Sequence, residues 1–382
     1  MATIADRQGK PAEAIGWLDK ANKLSGPREL RWGLALSDYQ LRHGNAGPAL
    51  DAAKDVSAKQ PENLAVLLAL ARAQLANNDA AGAKSSLTAA TRLADYNPGL
   101  QAQIAQLQLG ARNIPGATYS LQKALSKQGD FVPALALMAE IDLRLGEVAK
   151  AEKRVREILA KNPKQSVGHS LLGDVAVSKG QNAVAIDSYR RAFSLEPSTQ
   201  SFLKLYRAQA NLAGDVSGAA QLASQWLKAH PKDILSQMEV ADSLARHNNF
   251  IAARVAYEKL VKIAPANAQA LDSLANVLLR LKDPGAVRAA EQAVAISPAN
   301  ALFVDTLGWA LFQTGQTERA LKVLNDAKLR DPANSEILYH RAVVLAQTGL
   351  KSEARADLDA ALKAGKPFEG SMEATALRKT LN

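Results

Sequence analysis

The 382-residue chain contains no cysteine. Disulfides, thiolate nucleophiles, cysteine zinc sites and lipid attachment at a cysteine are therefore excluded within these residues. It has no run of eighteen apolar residues, and its first stretch, MATIADRQGK, lacks the apolar core of a signal peptide. Nothing as written spans or enters a membrane, and targeting is expected to be absent or cut off. Histidine is scarce: His43, His169, His230, His247 and His340 offer no metal-binding pair at three- to five-residue spacing. There is no phosphate loop, dinucleotide fingerprint or nucleophile elbow. Acid pairs on helices always stand beside a basic partner, so two carboxylates with separated pKa values cannot be argued. The expectation is a non-enzyme with no cofactor and no metal. No segment alternates with period two for long enough to suggest a strand.

What the chain does have is a repeat. Aligning on the closing residue of each unit gives Pro27, Pro61, Asp95, Gly129, Pro163, Pro197, Pro231, Pro265, Pro298 and Pro332, in steps of 34 with one of 33. Twelve residues before each next closing position stands an alanine: Ala49, Ala83, Ala117, Ala151, Ala185, Ala219, Ala253, Ala286, Ala320 and Ala354. A position that accepts alanine ten times is one where two helices approach too closely for more. Within a unit, apolar residues at spacings of three and four (Leu171, Leu172, Val175, Ala176) break at a turn, Lys179-Gly180-Gln181-Asn182, and resume at Ala185, Ile186, Tyr189 and Ala192. Two antiparallel helices per unit follow. The closing proline is expected to end one unit and start the next, since it is tolerated where a helix begins.

These residues resemble the tetratricopeptide repeat (TPR), a 34-residue helix-turn-helix pattern. Leu171 to Pro197 matches with Leu172, Gly173, Gly180, Ala185, Tyr189, Ala192 and Pro197. Arg207 and Arg341 depart from the pattern by replacing small or apolar core residues. Ala223 and Trp226 exchange the usual small and large positions. The resemblance implies an all-α TPR superhelical solenoid of antiparallel helix pairs. Its expected divisions are a partial unit over 1–26, ten tandem units over 27–365 and a capping helix over 366–382. The partial first unit suggests the carboxy-terminal part of something longer.

In such arrays first helices line the concave surface. That register places Trp309 and Phe312 on the inner face, with Tyr339 beside them on the next unit. Trp309 is then either packing between first helices or an aromatic ledge for a peptide anchor or a sugar ring. Asp272, Asn276 and Arg280 form a stripe on one neighbouring helix and Asp305 stands on the next. These seven residues are the candidate partner-binding groove, for a protein or peptide ligand. Elsewhere on the inner face, Asp38 with Arg42, Glu140 with Arg144 and Asp242 with Arg246 have the acid-first spacing that favours pairing along one helix.

The chain carries 47 basic against 37 acidic residues, net +10. The excess gathers on outer helices, as in Ala149 to Lys164 with Lys150, Lys153, Arg154, Arg156, Lys161 and Lys164. Such a run is a solvated face or the seat of an anionic partner. Nucleic acid is not expected, since no aromatics interleave and no recognised module is present. Finally, DTLGW at Asp305 and YHRAVVLAQTG at Tyr339 are similar to the terminal repeats of large TPR lipoproteins found beside bacterial PEP-CTERM sorting and exopolysaccharide gene clusters. That resemblance implies a non-catalytic scaffold in an envelope assembly, periplasmic or outer-membrane-associated in the full-length protein. Those relatives are anchored through an amino-terminal cysteine, which is absent here. A cytoplasmic peptide-binding adaptor or co-chaperone, and direct polysaccharide binding in the groove, are the alternatives.

Overall fold

The three-and-four spacing is realised as 23 α-helices and one five-residue π-helical turn among the described residues, with no strand. The computed structural model describes residues 1–26, 28–212, 214–363 and 368–381. Pro27 and the expected boundary between 365 and 366 lie outside them. Two compact units, Met1–Pro197 and Ser198–Asn382, divide the chain at one of the closing prolines. The first holds six helix hairpins, from Ala2–Arg7 with Pro11–Leu24 to Ser166–Ser178 with Asn182–Leu195. The second holds five, from Thr199–Arg207 with Val216–Ala229 to Ser335–Gln347 with Lys351–Lys363, followed by the helix Ser371–Thr380. From Arg31–Arg42 onward in the first unit, and throughout the second, the first helix of one hairpin also touches the first helix of the next, so these helices share one face.

Close approach within hairpins explains the alanine ladder. Nine of the ten alanines are fully buried, and Ala219 is 3% exposed. Glycine does the same where a ring comes nearer still: a Cβ on Gly173 would lie 2.3 Å from the Tyr189 ring, whose hydroxyl donates to Asp174 at 2.8 Å. The turn joining the two helices of a hairpin needs one left-handed residue. Gly9, Gly44, Gly146, Gly180, Gly214, Gly315 and Gly349 supply it, and Asn78, Arg112, Asn248 and Lys282 take the same place at φ between 53° and 60°. Glycine adopts that conformation without the steric cost a Cβ brings.

Among the described residues the closing prolines do not begin helices. Pro61, Pro265, and Pro332 sit in the turn two residues before the next helix's N-cap, which is Asn63, Asn267 and Asn334. The asparagine carbonyl satisfies the otherwise orphaned amides, as with Ala65 N at 3.0 Å and Ala270 N at 3.1 Å, which is why this spacing works. The proline's role is to stop the preceding helix.

Each departure from the repeat pattern has a local account. Trp226 is buried, stacked between Phe202 at 5.3 Å and His230 at 3.7 Å, and its indole N–H donates to Asp233. Ala223, one turn earlier on the same helix, is buried as well. Arg207 points to solvent and pairs with Glu239, just ahead of the π-helical turn Ala208–Leu212. Arg341 stays largely buried but donates to Asp357, itself 3% exposed at its side chain and also paired with Lys328. Of the three expected intrahelical ion pairs, Asp38 with Arg42 forms at 3.2 Å. Asp242 instead accepts the Tyr257 hydroxyl, and Arg246 pairs with Glu239, because a buried phenol competes for the carboxylate. On the basic outer helix, Lys150, Arg154, Arg156 and Lys161 pair with Glu147, Asp142, Glu152 and Asp130. No helix among the described residues is long and apolar enough to cross a membrane.

Candidate partner-binding cleft

Three successive first helices of the second unit, Ala268–Arg280, Ala301–Gln313 and Ser335–Gln347, wall an open cleft of about 560 Å³. Gly308 lets the middle helix sit deep, since a Cβ there would lie 2.6 Å from Leu324 Cγ. The next residue, Trp309, is carried to the surface half-buried, as are Phe312 and Tyr339. Trp309 therefore packs and faces the cleft at once: its ring stacks on His340 at 4.2 Å and 15°, tilts against Phe312 at 5.4 Å, and lies 6.4 Å from Tyr339. Beyond Tyr339 the wall continues into Phe368, 5.9 Å away, and into Gly370, whose φ of +86° lets the chain pass over the Tyr339 ring.

Of the seven residues expected here, Trp309, Tyr339, Asn276 and Arg280 line the cleft. Three do not. Phe312 supports Trp309 from the side, and Asp272 and Asp305 are buried, 7% and 4% exposed, forming a layer beneath. Helical register puts their Cα atoms on the inner face, but the adjacent first helices pack over them at this level of the stack. Asp305 accepts from His340 Nδ1 at 2.8 Å, and Asp272 accepts from Asn276 at 3.3 Å; the second oxygen of each has no hydrogen-bond partner among the described residues. Burial above all, then the nearby Asp305 and Glu336, push the Asp272 carboxyl up to about 6 despite a bond from Thr306. Glu336 is raised by burial, an effect that Asp305 and Glu369 reinforce and His340 opposes. For His340, burial opposes protonation, but Asp305, Glu336 and Glu369 outweigh it and hold the imidazole above its ordinary value.

The cleft also contains Glu336, which register places on the inner face, and residues the sequence did not assign to the groove: His340, Glu369, Glu373 and Lys282. Glu336 and His340 were within reach of register, one helical turn before and one residue after Tyr339. Glu369 was not. It pairs with Arg280, 89 residues away, and no local pattern encodes such a contact. Asn276 and Arg280 also border an adjoining cavity of about 300 Å³, where Arg280 lies 5.8 Å from the Phe250 ring centroid. Among the described residues no cluster of three or more His, Asp or Glu is arranged to hold a metal ion.

Stacked antiparallel hairpins with first helices on one face and an aromatic cleft define the class of helical-repeat proteins. Within it, tetratricopeptide-repeat models match residues 108–175, 170–234 and 306–368, so the chain carries tetratricopeptide repeats. Yeast Tom70 has the same fold, with a TM-score of 0.51 at 15% identity, covering 96% of this chain and 98% of that one. The Cut9–Hcn1 assembly of the APC/C aligns with a TM-score of 0.44 at 12% identity, over 100% and 95% of the two chains. In sequence, the chain is 28% identical over 149 residues to cellulose synthase 2 operon protein C of Komagataeibacter xylinus. That match spans 38% of this chain and 11% of the relative.

Proposed function

We propose that the protein is a non-catalytic scaffold that holds a protein partner in the cleft of its second unit, within a bacterial envelope assembly linked to exopolysaccharide or surface-protein export. The observation that carries this reading is Trp309: a large aromatic on a shared first-helix face, half-exposed, in a cleft with polar walls. Aromatic anchors of this kind dominate binding energy because they bring wide contact area with few rotatable bonds. The tetratricopeptide repeats support partner binding, and the relative named for a cellulose synthase operon supports the exopolysaccharide setting. The PEP-CTERM-like string at Asp305 and Tyr339 points the same way. A periplasmic or outer-membrane-associated location belongs to this proposal. Direct glycan binding is the second reading, favoured by the same indole face.

The test is site-specific photo-crosslinking in the producing cell, with a photoreactive residue at Gln313 in the cleft and at Lys322 on the outer helix as control. Cross-links to a defined partner from Gln313 and not from Lys322 are expected. Trp309→Ala should abolish them while costing little stability. Equal products from both positions, or a partner that binds Trp309→Ala unchanged, would remove the reading.

A further inference from the structure

Charge around the cleft runs against the sign of the chain. The protein carries net +10, yet the cleft and the layer beneath it hold five carboxylates, Asp272, Asp305, Glu336, Glu369 and Glu373. Against them stand Arg280, Lys282 and His340. Most of that positive charge is already committed: Arg280 to Glu369, and His340 to Asp305. Glu336 and Glu373 have no ion pair with a basic side chain among the described residues, although both face the space bounded by Trp309 and Tyr339. The ring faces are an independent feature with the same preference, since an indole or phenol face attracts a cation through its quadrupole.

Resting on the scaffold reading above, we infer that the anchor received by this cleft is a cationic side chain, arginine or lysine, of the protein partner, held over the Trp309 and Tyr339 rings and paired with Glu336 and Glu373. Charge complementarity selects this occupant. An acidic peptide terminus would meet Glu336, Glu369 and Glu373 with Lys282 as its one uncommitted counter-charge among the described residues, so the cleft discriminates against it. A neutral glycan would use the aromatic faces and gain nothing from the carboxylates. The guanidinium suits the space better than ammonium, because it stacks on a ring while its edge donates to carboxylates.

The probe is the peptide acetyl-Gly-Arg-Gly-Arg-Gly-amide, compared with its citrulline and glutamate counterparts and with a neutral β-glucan hexamer. The readout is the indole N–H resonance of Trp309, assigned by Trp309→Phe among the four tryptophans of the chain. The arginine peptide is expected to move that resonance and to bind at least about tenfold more tightly than the citrulline peptide, a difference within reach of one desolvated cation contact. Glu336→Gln with Glu373→Gln should weaken it by about tenfold with a melting curve no lower than the parent's, both substitutions being near-isosteric and the Glu336 carboxyl being disfavoured by burial. Equal affinity for arginine and citrulline, preference for glutamate, no response to the arginine peptide, or a glucan response indifferent to the two glutamines would each overturn the inference. If the double variant still binds the cross-linked partner at full strength, the cation anchor fails and the scaffold reading stands. If Gln313 gives no specific cross-link, the scaffold reading itself fails.

Discussion

His340 Nδ1 lies 2.8 Å from Asp305 Oδ2, tying two successive first helices together beneath the Trp309 ring. The pair is nearly dry, 12% and 5% exposed at the side chains, so the imidazolium it favours is a stability element as well as a wall of the cleft. Its position explains why the aromatic group is ordered: Trp309 rests on a ring that is itself fixed by a carboxylate.

A pH dependence follows from this arrangement. A histidine whose pKa is raised by folding contributes stability fully present below its unfolded value of 6.5 and lost as pH rises through the folded value. Asp272, pushed up from 3.8 to about 6, acts with the same sign: ionising it costs more in the fold than in the unfolded chain, so stability declines over that interval. Denaturant midpoints of the full chain should therefore fall from pH 5 to pH 8. Asp272→Asn should raise stability at pH 7.5 by about 1–3 kcal/mol, because it removes a carboxylate that burial disfavours. His340→Gln should flatten the alkaline part of the curve. A wild-type profile that rises over this range would contradict the assignment.

Ala185→Leu inserts three carbons where the site is fully buried, and Gly308→Ala puts a Cβ 2.6 Å from Leu324 Cγ. Each is expected to cost about 1–3 kcal/mol through overpacking, read as a drop in urea midpoint. The Gly308 variant should in addition disturb partner binding, because the helix that carries Trp309 must move.

Asp357 accepts from Arg341 at 2.5 Å and from Lys328 at 2.7 Å in the interior of the last hairpin. Removing it by Asp357→Ala leaves the largely buried Arg341 guanidinium with only Asn325 as a neutral acceptor, at an expected cost of about 3–5 kcal/mol. Arg341→Met with Asp357→Leu together should recover most of that loss. Thermal melts of the single and double variants decide the matter, and additive losses would refute coupling.

Arg112 occupies a hairpin turn at φ 53°, where seven other hairpins of the chain use glycine. Relief of the left-handed strain outweighs the added backbone entropy, so Arg112→Gly should stabilise by roughly 0.5–1 kcal/mol. Calorimetry on the two proteins would check it; a lowered melting temperature would show that the arginine side chain does more than tolerate the turn.

Periodic features were legible in the amino-acid sequence because they depend on neighbours within one hairpin. Ala185 and its nine equivalents, Gly180 at a turn and the helix-turn-helix alternation all report constraints met within a few dozen residues, and repetition made each visible. The shared face of Trp309 and Tyr339 was readable from helical register once the resemblance to tetratricopeptide repeats had set which helices face inward. What register could not give was depth. Asp272 and Asp305 share the inner face, yet the packing of three first helices buries them and leaves Asn276 and Arg280 open, a matter of where along each helix its neighbours close over the face. Nor could register supply Glu369, brought to Arg280 across 89 residues, or the place of His340 between a carboxylate and an indole. Those contacts join elements distant in the chain, and their charges and burial exist only once the hairpins have stacked.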